Sequence, residues 1–155
     1  MSEAQAETTP AHTQRMTPLR RALCFRDGLI IFMLAQRPLR ISNFHQIRIH
    51  TNLIIRPSSI VLAFESDDMK SKRPLECVLS EECAAAIKIY LEIHRETLLH
   101  TSAKSRGLKT DALWISRDGT ALKLGPLYVA IKKRTGLAFT KHMWPHLFRD
   151  AVATL

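Results

Sequence analysis

Near the end of the 155-residue chain, within "WPHLFRDAVATL", His146 and Arg149 stand three residues apart. On a helix that spacing puts both side chains on one face. An imidazole, which exchanges a proton near neutrality, would then sit beside a guanidinium that keeps its charge at any ordinary pH. Taken singly, a His-x-x-Arg is most often a surface pair or a capping arrangement. Order and context carry more. Arg40 opens a helix directly behind an apolar one, a connector bearing Lys70 and Lys72 follows between two β-rich runs, a long helix comes next, and His146 and Arg149 come last.

The elements that must position these residues can be read in turn. Residues 1–17 are polar and aperiodic, the composition of a tail. From Leu19, "LRRALCFRDGLIIFMLAQ" reads as a helix whose second half is apolar on every side, which predicts a central, buried element. Pro38 ends it or marks the following turn, and a short second helix from about Leu39 carries "RISNFHQ". Asn52–Arg56 and Ser59–Glu65 read as strands with Pro57 and Ser58 turning between them. The polar connector Ser66–Arg73 leads to a third strand, Leu75–Leu79. Ser80 is placed to cap the next helix, with Glu81 and Glu82 in its first turn and one stripe through Ile87, Tyr90, Leu91, His94 and Leu98. Residues 101–110 form a basic loop, Ala112–Ser116 a short extended piece, "RDG" a turn, Gly125–Thr135 a basic helix, and Pro145 the first turn of a last helix. The expected fold class is α+β: mostly α-helical, with a small three-stranded antiparallel sheet.

Composition narrows the partners. The length suits one domain and is short for two. Twenty-three Lys and Arg against 14 Asp and Glu give a formal net charge of +9, an excess that favours polyanions, nucleic acid before an acidic membrane surface. Cys24, Cys77 and Cys83 follow no zinc or disulfide spacing, which points to reduced thiols and a cytoplasmic setting. The apolar run Leu29–Ala35 is too short to span a bilayer, and the first residues lack the apolar core of a signal peptide.

Four segments together resemble the catalytic domain of the tyrosine recombinases, the phage-integrase family of DNA breaking-rejoining enzymes. "RPLRISNF" is similar to the family's first box, matching Arg40 to its first catalytic arginine. "MKSKRPLECVL" resembles the β-hairpin lysine segment; counted back from the closing "VL", Lys70 matches best and Lys72 is the other candidate. "PHLFRDAVAT" resembles the second box, with His146 and Arg149 in its histidine and arginine positions, and Leu113–Gly136 resembles the stretch before it. The resemblance runs from about Leu19 to Leu155.

It implies cleavage of a DNA phosphodiester by a tyrosine hydroxyl, leaving a 3′-phosphotyrosine and a free 5′-hydroxyl, with no metal or other cofactor. Arg40 and Arg149 would clamp the charged non-bridging oxygens. Lys70 would protonate the leaving 5′-oxygen, and His146 would handle the nucleophile's proton or donate to the phosphate. Lys72, Arg73, Lys104, Arg106, Lys132, Lys133 and Arg134 would bind flanking phosphates of double-stranded DNA.

Departures matter too. Asn43 stands where the family commonly has Glu, and Asp150 where a basic residue or His is common. The sequence given reaches neither the further His or Trp nor the tyrosine that follow the second box, and Tyr90 and Tyr128 match non-catalytic helices as packing residues. The expectation is therefore a C-terminally incomplete catalytic domain over residues 18–155, retaining the phosphate-binding residues without a nucleophile. It would act on DNA as a homo-oligomer or beside an intact recombinase. A non-catalytic DNA-binding module, or regulator of a full-length recombinase, is the alternative. An unrelated α+β interaction domain is the third reading.

Overall fold

The computed structural model describes residues 15–37, 39–102 and 109–139. The tail before residue 15, Pro38, most of the basic loop and the segment expected to carry Pro145, His146 and Arg149 lie outside the described residues.

Helix α1, Pro18–Gln36, starts where its cap dictates: the Thr17 hydroxyl accepts from the Arg20 amide at 3.2 Å, and proline occupies the first helical position. Ala22, Leu29, Ile30, Met33 and Leu34 are buried, making α1 the central helix. Its second half is not enclosed on every side, however. Phe32 and Ala35 are exposed, so the apolar composition exceeds what the surrounding described elements cover.

A short helix α2, Ile41–His45, follows, with Phe44 buried against the core. Strands β1 (Leu53–Ile55), β2 (Ile60–Phe64) and β3 (Leu75–Val78) form an antiparallel sheet in that order. Leu53 pairs with Leu62, and Val61 with Val78. The central strand, "IVLAF", buries four of its five residues, whereas edge strand β3 alternates half-buried and exposed.

The Ser80 hydroxyl caps α3 (Glu81–Ile89) by accepting from the Cys83 amide at 3.2 Å, and donates to Gln36 Oε1 at 3.1 Å, tying the start of α3 to the end of α1. A π-helical turn, Tyr90–His94, joins α3 to α4, Arg95–Leu99. The widened turn keeps Tyr90, His94 and Leu98 on the buried side, as the stripe in the sequence predicts. Ala112–Ser116 is held by isolated bridges to Arg48 and Ala121 rather than by a strand. It closes through a tight turn in which the Ser116 amide donates to the Thr120 carbonyl at 2.7 Å and Gly119 adopts φ 79°. Helix α5, Leu124–Phe139, packs on α1 and α2, with Leu127 and Ile131 buried.

Candidate nucleic-acid interface

Arg40 is held by its backbone, and its side chain is exposed. Leu39 before it is buried, and the Arg40 carbonyl accepts from the Asn43 and Phe44 amides at 3.0 and 2.9 Å, so it is the N-cap of α2. Behind α2 lies Trp114, fully buried, whose indole N–H donates to the Phe44 carbonyl at 3.1 Å. Its ring stacks on Phe44 at 5.3 Å and meets Tyr90 at 5.7 Å. The α2 backbone is thus braced from the core while the Arg40 guanidinium stays exposed.

Lys70 stands on the β2–β3 connector, which folds as successive turns: the Asp68 amide donates to Glu65, Met69 to Ser66, and Lys72 to Met69. Lys72 carries φ 55°, a left-handed conformation that aims the chain back toward β3. The amide of Asn43 lies 3.2 Å from the Met69 sulfur. That contact joins the helix Arg40 opens to the residue beside Lys70. Two cations 30 positions apart in sequence are therefore carried on elements that touch. Asn43, noted in the sequence as a departure from the resembled family, serves here as the link between them.

Lys70, Lys72 and Arg73 are all exposed on this connector. Lys132, Lys133 and Arg134 lie on α5 instead. Arg134 is engaged: its Nε donates to Asp27 Oδ2 at 3.0 Å, and that ion pair holds its pKa above the ordinary arginine value despite partial burial. Lys104, Arg106, His146 and Arg149 lie outside the described residues. A cavity of about 870 Å³ opens beside α2 and the connector and is lined by Asn43, Arg48, Asp67, Asp68, Asp111 and Lys123 among others. Its three carboxylates make it a poor phosphate site, and neither Arg40 nor Lys70 lines it; the exposed cations alongside are the better one.

Sequence reasoning missed a buried ionic cluster. Asp27 Oδ1 accepts from Arg26 Nε and Nη2 at 2.9 and 2.6 Å, while Arg26 Nη1 donates to the Ile115 carbonyl at 2.8 Å. With Arg134, this binds α1, the 112–121 turn and α5 together. Arg95 likewise donates to the carbonyls of Thr110 and Ala112. The only advance signal was two adjacent charges, Arg26 and Asp27, inside a helix otherwise turning apolar.

Tyr90 is fully buried, and its hydroxyl oxygen accepts from the Ile115 amide at 3.3 Å. Burial pushes its pKa up to about 12, which opposes formation of a phenolate. Tyr128 is half-buried on α5. No helix among the described residues is long and apolar enough to cross a membrane.

Known structures share this fold. XerH site-specific recombinase bound to palindromic difH substrate, in a post-cleavage complex, superposes with a TM-score of 0.60 at 19% identity over 86% of this chain. The pre-cleavage XerH–difH complex gives 0.60 at 20% identity. XerA recombinase gives 0.59 at 19% over 95% of this chain. This chain has the tyrosine-recombinase catalytic-domain fold. It spans 34% of the XerH chain in the post-cleavage complex and 51% of the XerA chain, so the likeness concerns one part of each recombinase. No family model matches the sequence, and no curated protein does. The likeness lies in the three-dimensional fold.

Proposed function

We propose that this chain is the phosphate-holding part of a site-specific DNA recombinase. The observation that carries the reading is the contact between Asn43 and Met69, which sets the Arg40 helix against the Lys70 turn within a recombinase fold. Arg40 and, from the far end of the sequence, Arg149 would embrace the non-bridging oxygens of one phosphodiester. Preorganised guanidiniums stabilise the extra charge that develops there as a nucleophile adds to phosphorus. Lys70 would deliver a proton to the 5′-oxygen as the P–O5′ bond breaks, with Lys72 the other candidate for that step. His146 would accept the nucleophile's proton or donate to the phosphate. Lys72 and Arg73 would hold the flanking backbone.

The attacking hydroxyl in this proposal comes from outside these 155 residues. Tyr90 is spent on packing, with its hydroxyl directed to the Ile115 amide. That same observation supports the second reading, in which the cleft binds double-stranded DNA without cutting it, alone as an oligomer or as a regulator of an intact recombinase.

Arg40→Ala and Arg149→Ala should each weaken binding of a short duplex about tenfold or more, since a hydrogen bond to a charged group contributes about 1.5–3 kcal/mol. Fluorescence anisotropy at two salt concentrations measures this. Unchanged affinity in both variants, with the fold intact by circular dichroism, would remove the clamp from consideration.

A further inference from the structure

Helix α5 has two faces. Leu127 and Ile131 pack into the core, while Val129, Lys133 and Leu137 form a second stripe at helical spacing. Val129 and Leu137 are 65% and 72% exposed, more than any other large apolar residue described. The stripe is one wall of a groove whose other walls are the start of α1 and the 116–120 turn. Two cavities, about 650 and 460 Å³, share Leu23, Arg117, Lys133 and Arg134 and so run into one another. Arg20, Arg117 and Lys133 line it without a carboxylate partner among the described residues. Asp27 is already saturated by Arg26 and Arg134, leaving Asp118 as the one acid in the groove not engaged with a cation.

We infer that this groove is a docking site for an acidic amphipathic helix of a partner protein. Charge complementarity selects acidic side chains, which would pair with Arg20, Arg117 and Lys133. The apolar floor selects aliphatic or aromatic ones at helical spacing. Duplex DNA fits the cations but not the floor, because a phosphate backbone offers nothing to cover Val129, Leu137, Leu23 and Pro126. Location separates the groove from the proposed cleavage cleft as well. Arg20 lies in the first turn of α1 and Arg40 just beyond its last, and 19 residues of helix extend about 28 Å. A single phosphate group cannot touch both. The α5 wall is itself about 24 Å long, room for a partner helix to lie along it in the manner of other helix-in-groove complexes. The inference does not depend on DNA cleavage, so either can fail alone.

The probe is a fluorescent peptide of about 18 residues, long enough to hold a helix, with leucines at i, i+3, i+4 and i+7 and glutamates elsewhere. Titrated with the full chain, it should bind saturably. Val129→Ser/Leu137→Ser and Arg20→Gln/Arg117→Gln should each weaken it about tenfold or more, with Arg20→Lys/Arg117→Lys retaining most of the affinity. All four substituted side chains are solvent-facing, and matching thermal melts would show the variants folded. Duplex affinity should be unaltered in the Val129→Ser/Leu137→Ser protein. Equal binding of a peptide with scrambled leucines, or of one with lysines for glutamates, overturns the inference. So does displacement of the peptide by duplex DNA together with loss of DNA affinity in the serine variant.

Discussion

His94 shows how one residue ties packing to pH. It is buried at the end of the π-helical turn, with its ring stacked on Phe25 at 4.3 Å. Burial, helped by the nearby positive charge of Arg21, lowers its pKa below the ordinary 6.5. The fold therefore favours the neutral ring. As pH falls through 6.5, the unfolded chain takes up a proton that the folded chain still refuses, so His94 contributes stability above that pH and loses it below. The melting temperature should drop between about pH 7 and pH 5.5, and His94→Phe, which preserves the stack, should drop less. Equal pH profiles for the two proteins would show that another group controls acid stability. Asp27 makes the complementary case for a charge that must stay. Its two oxygens satisfy the buried Arg26 and the partly buried Arg134, so Asp27→Ala strands a buried guanidinium. Breaking such a pair by removing one member destabilises by about 3–5 kcal/mol, measurable by urea unfolding. A loss under about 1 kcal/mol would mean that water reaches the cluster.

At the scale of elements, the β2–β3 connector trades stability for shape. Lys72 is held at φ 55°, where a side chain is strained and glycine is not. Lys72→Gly should raise the urea midpoint, by up to about 1 kcal/mol of stability, while lowering duplex affinity if Lys72 meets a phosphate. A lower midpoint would show that the lysine stem packs against its surroundings. Local chemistry made the elements legible: the Ser80 cap and the stripe from Ile87 to Leu98 were visible as patterns, and the strands end within about two residues of expectation. What stayed hidden is nonlocal. No spacing rule announces that Asn43 will reach Met69, that Trp114 will bond the Phe44 carbonyl, or that Arg134 will reach back to Asp27. The π-helical turn was hidden too, because the same stripe suits a regular helix. So Arg40 and Lys70 could be proposed from their motifs, but the contact that joins their elements needed the fold.

For the whole molecule, charge and fold make separate predictions about DNA. A net charge of +9 guarantees some attraction to any polyanion, and that part must weaken as salt releases the condensed counterions. Chemistry on the strand needs more than attraction. It needs a hydroxyl able to reach the clamped phosphorus and lose its proton. The sequence holds two tyrosines. Tyr90 is sealed in the core with its pKa pushed up to about 12, and exposing it would dismantle the packing around Trp114 that braces α2. Tyr128 sits on α5 next to Leu127, whose burial fixes that helix against the core. We therefore expect these 155 residues, given a nicked duplex that traps covalent intermediates, to retain the DNA in native gels and yield no protein–DNA adduct in denaturing ones. Adding a protein that supplies a free tyrosine in the recombinase position is the productive control, and loss of its adduct in the Arg40→Ala background would place the clamp in this chain. An adduct formed by this chain alone and mapping to Tyr128 would refute the assignment of the nucleophile. One mapping to Tyr90 would additionally require the core to open, because no duplex can approach a hydroxyl enclosed by Trp114 and the Ile115 backbone.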